Sequence, residues 1–147
     1  MLFDCEPMTR ETVTLINPVT LAFLGDAVFA LYVRERLVKK GGGKAADFQR
    51  ASAKILSAKA QSAFLEKVQP LFTEEENDVF RRGRNAKKPT KSKNAAPGEY
   101  NRSTGLEAVI GYLYLIGAND RLEVLFNELD ENLFVAERLA TGFKPSH

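Results

Sequence analysis

Val19-Thr-Leu-Ala-Phe-Leu-Gly-Asp26-Ala-Val-Phe-Ala-Leu-Tyr-Val33 is uncharged except for Asp26, and Gly105-Leu-Glu107-Ala-Val-Ile-Gly-Tyr-Leu-Tyr-Leu-Ile-Gly-Ala118 is uncharged except for Glu107. A helix that is apolar all round is expected to be buried, and a carboxylate carried inside costs roughly several kcal/mol unless something compensates it. Two such acids in separate apolar segments point to one shared compensator. A hard divalent cation such as Mg2+ takes oxygen ligands, keeps several waters and binds one or two carboxylates together with substrate phosphates. On this reading the substrate is a phosphate ester.

Working outward, Asn17-Pro18 supplies an N-cap and a proline for the first helical position, and Gly41-Gly42-Gly43 stops the run, so the first long helix is expected from about Pro18 to Lys40. Ala45 to Val68 is rich in alanine and free of proline, with Phe48, Ile55, Leu56, Phe64 and Leu65 as core candidates, and reads as one bent helix or two short ones. Thr73-Glu74-Glu75-Glu76 is a capping box for a helix expected to end near Gly83. From Arg84 to Arg102 no apolar period survives, which reads as a long loop, mobile when unliganded. Ser103 or Thr104 is the expected cap of the second apolar helix, running to about Ile116, and Asp120 opens a final amphipathic helix through Leu122, Leu125, Phe126, Leu129 and Leu133. Strand alternation is absent, so the fold class is all-α.

Composition excludes whole classes of chemistry. The single Cys5 leaves no disulfide framework or paired-cysteine zinc site, and the one histidine, His147, gives no credible member to a Ser/His/Asp or Cys/His constellation. Acids interrupt the first apolar residues, so no signal peptide is expected, and no uncharged run approaches spanning length, so no membrane partner is expected; the location expected is cytoplasmic. The length of 147 residues fits one domain. Net charge is only +2, yet Arg81, Arg82, Arg84, Lys87, Lys88, Lys91 and Lys93 fall in a stretch without an acid. That is either a solvated basic loop or a phosphate-binding one.

The acids also have two readings each. Thr104-Gly105-Leu106-Glu107 fits a capping box, which would put the Glu107 carboxylate on the backbone at a helix start. Asp26 has no cap to serve, and the choice there is between a shared metal site and a structural acid bonded to a neighbouring helix. Gly25 and Gly111, each costing about 1 kcal/mol in a helix, suggest close packing of the two acidic helices.

These residues carry a resemblance. Leu21-Ala22-Phe23-Leu24-Gly25-Asp26-Ala27-Val28 resembles the signature helix of the ribonuclease III family, and Leu106-Glu107-Ala108-Val109-Ile110-Gly111-Tyr112-Leu113-Tyr114-Leu115 resembles its second acidic helix. The likeness covers about Asn17 to Glu131, with no room after it for a double-stranded-RNA-binding domain, and in this it is similar to the short bacterial Mini-ribonuclease III branch. Arg82-Gly83-Arg84-Asn85-Ala86-Lys87 and Arg102-Ser103-Thr104 agree with that branch. Ala22 and Thr104 stand where full-length members carry further acids, which leaves open how a second cation would be held.

The resemblance implies a Mg2+-dependent endonuclease, with Mn2+ as an alternative ion, that cuts double-stranded RNA and leaves 5′-phosphates and 3′-hydroxyls. It further implies action on the precursor of large-subunit ribosomal RNA, with a ribosomal protein presenting the RNA as a candidate partner. Asp26 and Glu107 would be the catalytic metal ligands. The RNA-binding candidates are Arg81, Arg82, Arg84, Asn85, Lys87, Lys88, Lys91, Lys93, Tyr100 and Arg102, the last two with packing and capping as the alternative. Two strands and one acid pair per chain call for a homodimer, in which Phe23 would be an aromatic knob at the interface rather than a core residue of its own subunit. The competing readings are a noncatalytic RNA-binding or ribosome-associated protein on the same scaffold, and an all-α metal-dependent nucleotide pyrophosphohydrolase, which would want more acids grouped on one helix.

Overall fold

The computed structural model describes residues 5–88 and 96–136, so the expectations placed on Lys91, Lys93 and His147 lie outside the described residues. Seven α-helices are present there: α1 (Arg10–Thr14), α2 (Pro18–Lys40), α3 (Ala45–Leu56), α4 (Ala58–Val68), α5 (Glu74–Asn85), α6 (Pro97–Leu115) and α7 (Asn119–Phe126). No strand occurs among the described residues, and none of these helices is long and apolar enough to cross a membrane.

α2 begins and ends where its signals place it. The Asn17 side chain accepts from the Val19 N–H at 2.8 Å, Pro18 occupies the first turn, and Gly41, at φ 74°, donates back to the Leu37 carbonyl. Leu21, Gly25, Phe29, Val33 and Leu37, four residues apart, form a buried stripe. The rest of the helix corrects the expectation of all-round burial. Phe23 is 81% exposed and Leu31 and Val38 are also exposed, so α2 has a bare apolar face.

Ser57 resolves the alternative left open between Ala45 and Val68. Its backbone is extended, and its hydroxyl accepts from the Ala60 N–H at 3.1 Å, so it ends α3 and caps α4. In α5 the Thr73 and Glu76 capping box is present in both directions. Glu76 is buried and held by the Arg121 guanidinium through two bonds of 2.8 Å, tying α5 to α7. α5 continues past Gly83, which is a packing contact rather than a stop. A Cβ there would press on Gly105 and Ala108 of α6.

The largest departure concerns α6. It starts at Pro97, with proline again at the first helical position, not at Ser103 or Thr104. Those two hydroxyls bond back to the Tyr100 carbonyl at 2.8 and 3.0 Å, satisfying themselves inside the helix instead of capping it. Glu107 is therefore mid-helix and the capping reading for it falls. Both ends of the expected loop are helical, α5 reaching Asn85 and α6 beginning at Pro97, and 89–95 lie outside the described residues.

α6 is the central helix, with α2, α5 and α4 around it and a nearly continuous buried run from Ser103 to Leu113 broken at Glu107. The expected last helix is also shorter. α7 ends at Phe126, and after a turn Asp130 caps a 3-10 segment, Glu131–Leu133, through the Asn132 N–H. The short α1 has too few residues to show a period and was not anticipated; Thr9 caps it.

Candidate active site

α2 and α6 cross backbone to backbone. A Cβ built on Gly25 would overlap the Glu107 carbonyl oxygen, and one built on Gly111 would overlap the Leu21 carbonyl oxygen. Only two glycines one above the other permit that approach. The crossing brings residue 26 beside residue 107. Asp26 sits at the exposed edge of α2, contrary to the burial expected of it, whereas Glu107 interrupts the buried face of α6 and is largely enclosed.

The Glu107 carboxyl is pushed up to about 8, foremost by burial. A hydrogen bond from Gln61 works in the opposite direction, while the charge of Asp26 and a hydrogen bond with its carboxyl raise the value further. Asp26 is thus a direct neighbour whose charge disfavours that of Glu107. A cation between them would relieve Glu107, and two carboxylates match what Mg2+ takes from a protein when phosphates and water complete its shell. Among the described residues no group of three or more His, Cys, Asp or Glu is placed to hold a metal, so the donor set suits an ion shared with substrate, not a closed structural cage.

Gln61, on α4, is a neighbour of the acid pair that the apolar pattern concealed. Its Nε2 donates to Glu107 Oε2 at 3.2 Å and to the Leu56 carbonyl at 3.0 Å. The available signal was its place, three and four residues before Phe64 and Leu65, on the apolar stripe of an otherwise ordinary amphipathic helix.

The basic candidates divide. Arg81, Arg82, Asn85 and Lys87 are exposed, with Arg81 paired to Asp78. Arg84 lies over the Phe80 ring, 5.5 Å from its centroid, and its Nε reaches Asn85. Lys88 is turned inward. Its ammonium donates to the carbonyls of Gly83, Arg84 and Ala86 at 2.8–2.9 Å, closing the C-terminus of α5, and burial lowers its pKa. Tyr100 and Arg102 belong to the first turns of α6, where Arg102 Nε donates to Ser62 Oγ at 2.9 Å. The α5 crossing at Gly83 and the α2 crossing at Gly25 both fall within residues 104–111 of α6, so the basic end of α5 and the acids meet the same two turns.

Comparison with known proteins agrees with this geometry. The ribonuclease III domain model matches residues 19–117. Mini-ribonuclease 3 of Symbiobacterium thermophilum is 50% identical over 75% of this chain and 85% of its own length, and that of Staphylococcus aureus is 46% identical over 80% and 89%. A crystal structure of a protein from Fusobacterium nucleatum superimposes with a TM-score of 0.71 at 28% identity, over 77% of this chain and 90% of that one. An all-α scaffold, two acidic helices crossing at paired glycines and these matches together establish that the chain belongs to the ribonuclease III family and is an endoribonuclease.

Proposed function

We propose that this protein is a Mg2+-dependent endonuclease of double-stranded RNA in which Asp26 and Glu107 are the protein's metal ligands. The observation that carries the proposal is the pairing of the two carboxyls at a backbone crossing, where burial, and after it the neighbouring Asp26, push Glu107 up to about 8. When bound, the cation supplies Lewis acidity, easing the ionisation of water and offsetting charge on the scissile phosphate. Asp26, at the exposed edge, is the side open to substrate; Glu107, enclosed and tied to Gln61, fixes the inner side. Retention of both acids argues against a noncatalytic scaffold protein. The pyrophosphohydrolase reading loses ground because no larger acid cluster occurs among the described residues.

Duplex RNA hides its base edges in a deep major groove and is gripped through phosphates and 2′-hydroxyls. The exposed Arg81, Arg82 and Lys87 suit that contact, with Lys91 and Lys93 the further candidates from the sequence. The large-subunit ribosomal RNA precursor is the substrate that the family resemblance suggests, with cytoplasmic action and a ribosomal protein as a candidate for presenting the RNA.

Two cuts require two acid pairs, which a symmetric dimer provides. The bare face of α2 supports it. A phenylalanine 81% exposed is a poor surface residue and a good knob. Phe23→Ala is expected to sediment as a monomer with its helical content intact, and a stable dimer of that variant would count against this interface.

Protons and metal compete for Glu107, since only the carboxylate ligates. Cleavage of a labelled RNA duplex is expected to require Mg2+, to stop in EDTA and to rise with pH, with a midpoint that moves to lower pH as Mg2+ is raised. Metal-independent cleavage would sink the proposal, and a midpoint indifferent to Mg2+ would remove Glu107 from the ligand set.

A further inference from the structure

Gln61 lies in line with Phe64, Leu65 and Val68 on α4 and is buried with them. A primary amide in such a place is costly unless its donors and its acceptor are used. The donors are used, on Leu56 and Glu107. Leu56 is the last residue of α3 and Ser57 leaves the helical conformation, so the Leu56 carbonyl needs a donor from elsewhere. That need settles which way round the amide sits, because a flipped Gln61 would face oxygen against oxygen at Leu56. The acceptor is not used: Oε1 is buried and has no hydrogen-bond partner among the described residues.

The break at Ser57 thus orients an amide whose donor holds one acid of the pair and whose acceptor is spare. We propose that Gln61 is a positioning residue for the metal centre, its Nε2, held in register by the Leu56 carbonyl, fixing the Glu107 carboxylate. The inference rests on the acid pair being the metal site. Partners that hydrogen-bond a metal-ligating carboxylate from behind typically control affinity by about 10- to 100-fold.

The test is Mn2+ binding to the full chain, read from the electron paramagnetic resonance of free Mn2+, for the parent, Gln61→Leu, Gln61→Met and Asp26→Asn, with thermal melts in EDTA. Both Gln61 variants are expected to melt cooperatively, to bind Mn2+ about tenfold or more weakly, and to recover kcat at high Mg2+ with KM for duplex RNA unchanged. Parent-like Mn2+ affinity in the Gln61 variants, with loss of binding in Asp26→Asn, would overturn the role of Gln61 and leave the acid pair standing. Parent-like affinity in Asp26→Asn would overturn the acid pair itself and this inference with it. Failure of both Gln61 variants to fold would make the residue structural and also overturn the inference.

Discussion

Asp26→Asn and Glu107→Gln are each expected to lower the rate of duplex cleavage at least about a thousandfold, the cost of losing roughly 4 kcal/mol of metal-borne stabilisation of the transition state. Both substitutions keep side-chain size and both leave the helical crossing untouched. Binding of duplex RNA in EDTA should therefore persist, which separates a lost catalyst from a lost fold. Stability should move the other way. Glu107 stands at about 8 in the folded protein and in the ordinary carboxylate range when unfolded, so between those values the native state binds more protons. The metal-free protein then loses stability as pH rises through that window, and Glu107→Gln removes the loss. An inactive variant that melts higher than its parent at pH 8 in EDTA is the expected signature. Cleavage by Asp26→Asn at the parent rate would refute the assignment.

Gly111→Ala is expected, with Gly25→Ala, to be among the most damaging single-methyl substitutions at the described residues. In an open helix the change to alanine is favourable by about 1 kcal/mol. Here the new Cβ meets the Leu21 carbonyl oxygen, a main-chain atom that cannot swing aside as a side chain can. A net loss of about 3 kcal/mol is expected, at the upper end of overpacking costs, and with it a fall in Tm of roughly 10 °C. Activity below the transition should fall as well, because the helices can admit the methyl only by separating, and that separates Asp26 from Glu107. Gly98→Ala is the control. Its Cβ would meet nothing closer than an Arg102 nitrogen at 3.5 Å, so the same chemical change should be neutral or mildly stabilising. Equal melting curves for the two variants would show that the crossing is not as tight as described.

The parts of this architecture that were legible in the amino-acid order are those set by local signals. Asn17-Pro18 and the glycines at 41–43 bound α2 correctly, and the capping box at Thr73 marks α5. The start of α6 is not legible locally, because Ser103 and Thr104 are strong caps in isolation, whereas the chain uses Pro97 and turns both hydroxyls onto Tyr100. A start at those caps is what creates the false choice over Glu107. The partnership of Asp26 with Glu107 was readable from charge scarcity alone, but which of the two is enclosed was not, since the answer depends on which stripe of α2 faces α6. Gln61 escaped notice for the opposite reason: an amide flanked by ordinary helix formers gives no local signal, and its meaning arises only when Leu56 and Glu107 arrive from other helices. Lys88 is similar, a cation grouped by sequence with its basic neighbours and folded onto the end of α5.

The glycine crossing also has an implication for tolerance to change. Where main chain rests on main chain, the gauge between the two acids is dictated by atoms common to every amino acid, not by the volumes of the residues filling the interior. Aliphatic substitutions at Val33, Leu37 or Ile110 can then alter melting behaviour while leaving the spacing of the two carboxyls as it was, so that an engineer seeking a hardier nuclease has freedom in the interior and none at positions 25 and 111.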